Sequence, residues 1–214
     1  MNAHHSSLVG LVGMLAPLIG LCLAGCPSLS TLHTARTTPI GRTEIGVNAA
    51  LYGVRNGDGG GGALPTAEFQ LRHGLSDDVD LGIKVYPFGI GLDGSFMVEA
   101  SDSVVVAINP GVNLIRLQTD SDNLTVTYLW LPLLADVITT RAATVTIGAR
   151  VGYAIFSGES SGQRDTAAGL LYGGMVGIKL RLAERFAVMP ELDLLRGTAA
   201  DTGTLYNAGI AFLF

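Results

Sequence analysis

The sequence from Thr43 to Phe214 is dominated by alternation with a period of two. That period puts successive side chains on opposite faces of a strand, so such a chain can fold only as sheet with unlike faces. In 79–86, Val79, Leu81, Ile83 and Val85 oppose Asp80, Gly82, Lys84 and Tyr86. In 143–156, Val145, Ile147, Ala149, Val151, Tyr153 and Ile155 oppose Thr144, Thr146, Gly148, Arg150 and Gly152. Across all such stretches the apolar register carries no Asp, Glu, Lys or Arg. The opposite register carries Glu44, Glu68, Arg72, Asp80, Lys84, Asp93, Glu99, Arg150, Lys179, Arg181, Glu191 and Asp193.

The pattern predicts ten strands, beginning near Thr43 and then over about 65–74, 79–86, 91–99, 104–117, 124–135, 143–156, 169–182, 186–195 and 204–214. The sixth is nearly all apolar and is interrupted by Pro132, so its faces cannot be assigned from alternation. Connections at 75–78, 100–103 and 183–185 are short, and their small polar or acidic residues suit tight turns. Those around 53–64, 118–123, 157–168 and 196–203 are long or polar. Short connections at one end and long ones at the other suit an up-and-down barrel.

Periodicity alone leaves open which face is inside. A soluble sandwich would turn its charges to water, whereas a membrane barrel would turn them to its lumen. Charged residues are only 14% of the chain, below the roughly 25% of soluble domains. The strands are long enough to cross a bilayer at a tilt. The apolar register holds Phe69, Phe96, Tyr153, Tyr172, Tyr206 and Phe212, and Tyr128 and Trp130 are counted with it, as a lipid interface prefers. The chain ends on Phe214 in the apolar register of its last strand. That terminal aromatic resembles the assembly signal of bacterial outer-membrane β-barrel proteins, and residues 43–214 as a whole resemble a small, porin-like member. The resemblance implies an all-β fold: a single antiparallel up-and-down transmembrane β-barrel of about ten strands, within eight to twelve.

Residues 1–25 contain no Asp, Glu, Lys or Arg. An apolar run from Leu8 to Leu23 is too short for a spanning helix, which needs roughly 20 residues, and suits a secretory signal. It closes on Leu23-Ala24-Gly25-Cys26, which resembles the lipobox of bacterial lipoproteins. The resemblance implies cleavage between Gly25 and Cys26 and a lipid on Cys26. It also implies lipoprotein-processing and barrel-assembly machinery as partners, and transfer to outer-membrane lipid. The expected organisation is a signal peptide over 1–25, a lipidated tether over the Ser/Thr-rich 26–42, and the barrel over 43–214. An even strand number puts both barrel ends on one side, expected to be periplasmic.

The twelve charges of the polar register are near balance, seven acidic and five basic. Buried charge must be paired, so they are expected to stiffen the lumen as a salt-bridged filling. The alternative is a polar site or narrow pore for a small solute. Ten strands lie near the size at which wall side chains fill the bore, which disfavours a wide porin. No catalytic, metal or cofactor site is supported. His73 lies in the apolar register beside a turn, His33 lies in the tether, and neither has a second histidine or thiol partner. Gly59-Gly60-Gly61-Gly62 lacks the Lys-Ser/Thr of a phosphate loop. A net charge of −5 argues against nucleic acid. The expected function is therefore non-enzymatic: structural, adhesive, or binding and passage of a small solute. Two other readings stand beside it: a lipid-tethered soluble β-sandwich or lipocalin-like barrel holding an apolar ligand, and an outer-membrane barrel hydrolase with lumen carboxylates.

Overall fold

The computed structural model describes residues 30–55, 60–101, 104–118, 122–160, 163–198 and 203–214. The signal segment, Gly25 and Cys26 lie outside the described residues. Eleven strand segments follow in order: β1 (Thr43–Arg55), β2 (Gly61–Gly74), β3 (Val79–Tyr86), β4 (Gly89–Ala100), β5 (Val105–Ile108), β6 (Gly111–Gln118), β7 (Asp122–Thr139), β8 (Ala143–Ser160), β9 (Gln163–Ala183), β10 (Phe186–Gly197) and β11 (Thr204–Leu213). Each pairs antiparallel with its neighbours, and β1 pairs β11 from Gly46↔Leu213 to Arg55↔Thr204. The sheet is a closed barrel, so its backbone donors and acceptors are satisfied around the whole ring.

The barrel has ten staves, because β5 and β6 are one stave interrupted by two prolines. Both halves keep one register against β7, Ile108↔Leu133 and Gly111↔Trp130. Between them the Asn109 N–H donates to the Pro132 carbonyl at 3.0 Å. The reciprocal bond is missing because Pro132 has no N–H. On the other edge the Gly94 N–H donates to the Pro110 carbonyl at 3.0 Å, again without a return bond. The ladder thins at this point and the stave runs on.

One end carries the short turns. There the Leu75 N–H meets the Val79 carbonyl, Ser101 meets Val104, and Thr140 meets Ala143. The hydroxyls of Ser101 and Thr140 each accept the closing N–H of their own turn, from Val104 and Ala143. At the other end β8 and β9 stay paired out to Ser160↔Gln163. Much of the polar stretch 157–168, expected as loop, is therefore strand.

Outward-facing side chains are largely apolar and exposed: Val47, Leu81, Leu92, Phe96, Leu131, Val151, Tyr172 and Leu194 among them. Inward-facing ones include Asn48, Gln70, Asp80, Lys84, Ser95, Arg150 and Asp193, all buried. This is the inverse of a soluble fold, with polar groups inside and an apolar exterior.

Two aromatics counted with the lipid-facing set face the lumen instead. Tyr128 and Trp130 are buried inside, while their neighbours Leu129, Leu131 and Leu133 face out. Space decides the matter. Trp130 stands directly between Gly111 on β6 and Gly152 on β8. A Cβ at Gly111 would lie 2.0 Å from the indole Nε1, and one at Gly152 would lie 2.4 Å from the Tyr128 hydroxyl. Two missing side chains make the room that two large rings fill.

The stretch ahead of β1, read from composition as a tether, runs inside the barrel from Ser30 to Ala35 and reaches the mouth at the exposed Arg36 and half-buried Thr37. Ser30, Thr31, Leu32 and Ala35 have no exposed surface, and His33, Thr34 and Thr38 are buried. The chain passes between lumen and wall at the short-turn end, where Ile40 bridges Gly74 and the Gly41 N–H donates to the Gly74 carbonyl. Gly41 has φ 69°, a left-handed conformation that suits glycine and reverses the chain into β1.

Candidate functional site

The lumen is organised around that inserted segment, and its main chain is what the wall grips. Glu191 on β10 accepts the N–H groups of Thr31 and Leu32, one per carboxylate oxygen, at 2.6 Å each. Asp136 on β7 does the same for Ala35 and Arg36, at 2.9 and 3.3 Å. Asp80 on β3 accepts the Thr38 N–H at 2.6 Å. Lys84, four residues further along β3, donates to the carbonyls of Ser30 and Thr31 at 2.8 and 3.1 Å. A carboxylate bound to amide donors gives charge-assisted bonds, stronger than neutral ones.

The segment's side chains find complementary sockets. Leu32 packs with Ala187, Met189, Ala211 and Leu213. Ala35 packs with Val105, Ala107, Leu134 and Met175. The Ser30 hydroxyl donates to Glu68 Oε1 at 3.2 Å, and Arg150 donates to the Thr31 hydroxyl. Leu32 has φ 46°, rare for a branched side chain. A conformation of that kind persists only where its surroundings over-determine it. Here the Glu191 carboxylate on one side and the apolar socket on the other do so.

Ion pairs hold the gripping residues. Arg72 bonds both Asp80 and Asp93. Arg150 lies 3.1 Å from Asp193, whose other oxygen accepts from Asn207 at 2.6 Å. Asn109 donates to Asp93, Asn48 to Glu68 and Thr146 to Asp136. Beyond Ser30, toward the loop end, Tyr52, Tyr128, Trp130 and Leu195 form an apolar cluster with Ala50 and Ala154. Lys84 and Arg150 stand over the Trp130 ring at 5.0 and 5.2 Å, in cation–π range.

Eight of the twelve charges of the polar register lie together in this buried lumen: Glu68, Arg72, Asp80, Lys84, Asp93, Arg150, Glu191 and Asp193. Glu44 and Lys179 pair with each other at 2.6 Å, partly exposed. Arg181 is exposed at the short-turn rim and donates to the Arg141 carbonyl. The side chain of Glu99 lies outside the described residues. Phe214 closes the seam, exchanging two backbone bonds with Ile45 and lying 5.3 Å from the Phe186 ring. His73 bonds Thr43 at the exposed end of β2, and His33 sits in the lumen, 4.0 Å from Asp80.

Asp136 was not singled out by the alternation. It is the one charge in 131–139, beyond Pro132. A bulge after it, between Asp136↔Thr146 and Ile138↔Val145, absorbs one extra residue at the base of β7. Bulges recur beside functional side chains. The bore differs from expectation as well. Ten staves lie near the size that wall side chains fill, and here those side chains share the bore with the inserted segment. Inward-facing glycines contribute: a Cβ at Gly82 would lie 2.7 Å from Arg72, and one at Gly91 2.2 Å from Asn113.

Among the described residues no group of three or more His, Cys, Asp or Glu is placed to hold a metal ion. No family model matches the sequence, and no curated protein matches it. The structure is similar to that of Neisserial surface protein A, at 9% identity and a TM-score of 0.44, covering 80% of this chain and 95% of that one. It is similar to the outer membrane protease OmpT from Escherichia coli, at 7% identity and a TM-score of 0.46, covering 80% and 93%. It is also similar to an outer membrane channel from Pseudomonas putida F1, at 9% identity and a TM-score of 0.45, covering 84% and 98%. The descriptions of the three differ, and the barrel assignment here rests on the closed ring of strand pairs.

Proposed function

We propose that this protein is a non-enzymatic barrel of the bacterial outer membrane whose bore is closed by its own N-terminal segment and passes small solutes when that segment leaves. The observation that carries the reading is the polar, charged inner wall whose carboxylates and Lys84 hold the main chain of an inserted segment. The apolar exterior supports a place in lipid, where only a closed sheet satisfies its backbone. It speaks against the soluble sandwich and the lipocalin-like barrel. Of the lumen carboxylates, Glu191, Asp136 and Asp80 accept main-chain amides, Asp93 and Asp193 pair with arginine, and Glu68 accepts from Ser30 and Asn48. In this reading the short turns and Phe214 face the periplasm.

Planar-bilayer recording tests the pore. The full chain should stay closed, and the full chain carrying both Glu191→Gln and Asp136→Asn should show stepwise conductance. Equal silence from both, with the double variant folded and its segment released to protease, would sink the solute-passage reading.

The lipobox resemblance adds a proposed anchor at Cys26. Cys26 precedes Ser30 by four residues, a reach of at most about 14 Å. Four residues of β3 separate Asp80, near the mouth, from Lys84, which grips Ser30, or about 13 Å along the strand. Nothing is left to round the rim to the leaflet at that end. Seating of Ser30 and acylation of Cys26 in that leaflet are thus alternative states in this reading. Palmitate labelling of the wild type and of Cys26→Ser tests the anchor, since label retained on the variant removes it.

A further inference from the structure

We infer that the lumen is a binding site for a bent, uncharged-to-basic peptide, and that residues 30–38 are its resident copy; the inference rests on the closed-bore reading above and names what else the bore takes. Seven main-chain atoms of the segment are held: the nitrogens of Thr31, Leu32, Ala35, Arg36 and Thr38, and the carbonyls of Ser30 and Thr31. Four wall side chains do this, Glu191, Asp136, Asp80 and Lys84. Groups that read the main chain accept any sequence able to adopt the same course, left-handed at Leu32 and bent at Ala35 and Arg36.

Selectivity comes from two sockets and from charge. The Leu32 socket takes a leucine-sized side chain. The Ala35 socket, three residues on, takes a small one. Among the described residues the buried wall holds six carboxylates, Glu68, Asp80, Asp93, Asp136, Glu191 and Asp193, against three bases, Arg72, Lys84 and Arg150. An acidic ligand would add to that excess. The resident stretch 30–38 fits the field, with His33 buried in the lumen, Arg36 exposed at its mouth and no Asp or Glu. The ligand class is therefore a peptide with a leucine-sized residue, an alanine-sized residue three positions later, and no acidic side chain.

The test empties the site after folding. A site-specific protease sequence is inserted between Gly41 and Arg42, both exposed, in the full chain. The folded barrel is cut, washed in high salt, and titrated with a fluorescein-labelled peptide of residues 30–38, read by anisotropy. Saturable binding is expected, displaced by unlabelled peptide. Peptides carrying Leu32→Asp or Thr34→Glu should bind at least about tenfold more weakly, as should the wild-type peptide to the barrel carrying Asp136→Asn and Glu191→Gln. No binding to a barrel that has lost its segment overturns the inference. A cut segment that stays and never exchanges for labelled peptide overturns it too, because the lumen then serves one occupant alone. Conductance of the same cut barrel separates the readings. A pore that ignores peptide removes only the peptide site, and peptide binding without a pore removes only solute passage.

Discussion

At the scale of single residues, Glu191 and Trp130 are the two most informative positions. Glu191 holds consecutive N–H groups around the left-handed Leu32. Glu191→Gln swaps one acceptor oxygen for a donor that faces an amide. Losing a charge-assisted bond to a buried group costs about 1.5–3 kcal/mol. The segment should loosen, and trypsin should then cut after the exposed Arg36 faster than in the wild type; an unchanged digestion rate would show that Glu191 is not a clamp. Trp130 is the only tryptophan in the chain, so its fluorescence reports on the lumen directly. In the wild type, acrylamide should quench it poorly. Gly111→Ala drives a Cβ into the indole and should raise quenching and lower the unfolding temperature. Gly62→Ala meets nothing within 4 Å and should do neither.

At the scale of elements, the staves were legible and the occupant was not. Asp80 and Lys84 share a register with alternating apolar partners, so β3 could be read at once, face included. β7 defeated the same reading because both of its faces are apolar from Tyr128 to Leu134. Its inward choice depends on Gly111 and Gly152, which lie on other strands, and a cross-strand vacancy becomes visible only once the register is known. The segment 30–38 was hidden for another reason. Its strongest contacts use main-chain atoms, which leave no trace in side-chain pattern; basic residues without acidic ones were the available hint. Pro132 also invites a test at this scale. Pro132→Ala restores the N–H that faces the Asn109 carbonyl, and one added ladder bond is worth about 0.5–1.5 kcal/mol. Amide exchange on β5 and β6 should slow, and the barrel should melt higher. Faster exchange would mean that the break is itself needed.

At the scale of the whole molecule, the apolar exterior makes two outcomes expected together. The unboiled protein should migrate differently on gels from the boiled one, and Cys26→Ser should leave it in the membrane fraction. Release of that variant into the soluble periplasm would remove the transmembrane reading. Phe214→Ala should reduce the folded fraction during assembly, measured by the same gel shift, since it removes the ring that packs against Phe186 at the end of the β1–β11 seam. That seam has a consequence in time. Among the described residues the lumen segment precedes every strand in the chain and β11 follows the other ten. The chain therefore carries its own filling before the ring has its final stave, and no separate loading step is required. A closed wall then leaves only the mouths as ways out, so release must proceed along the axis, with the grips of Asp80, Asp136 and Glu191 giving way in series.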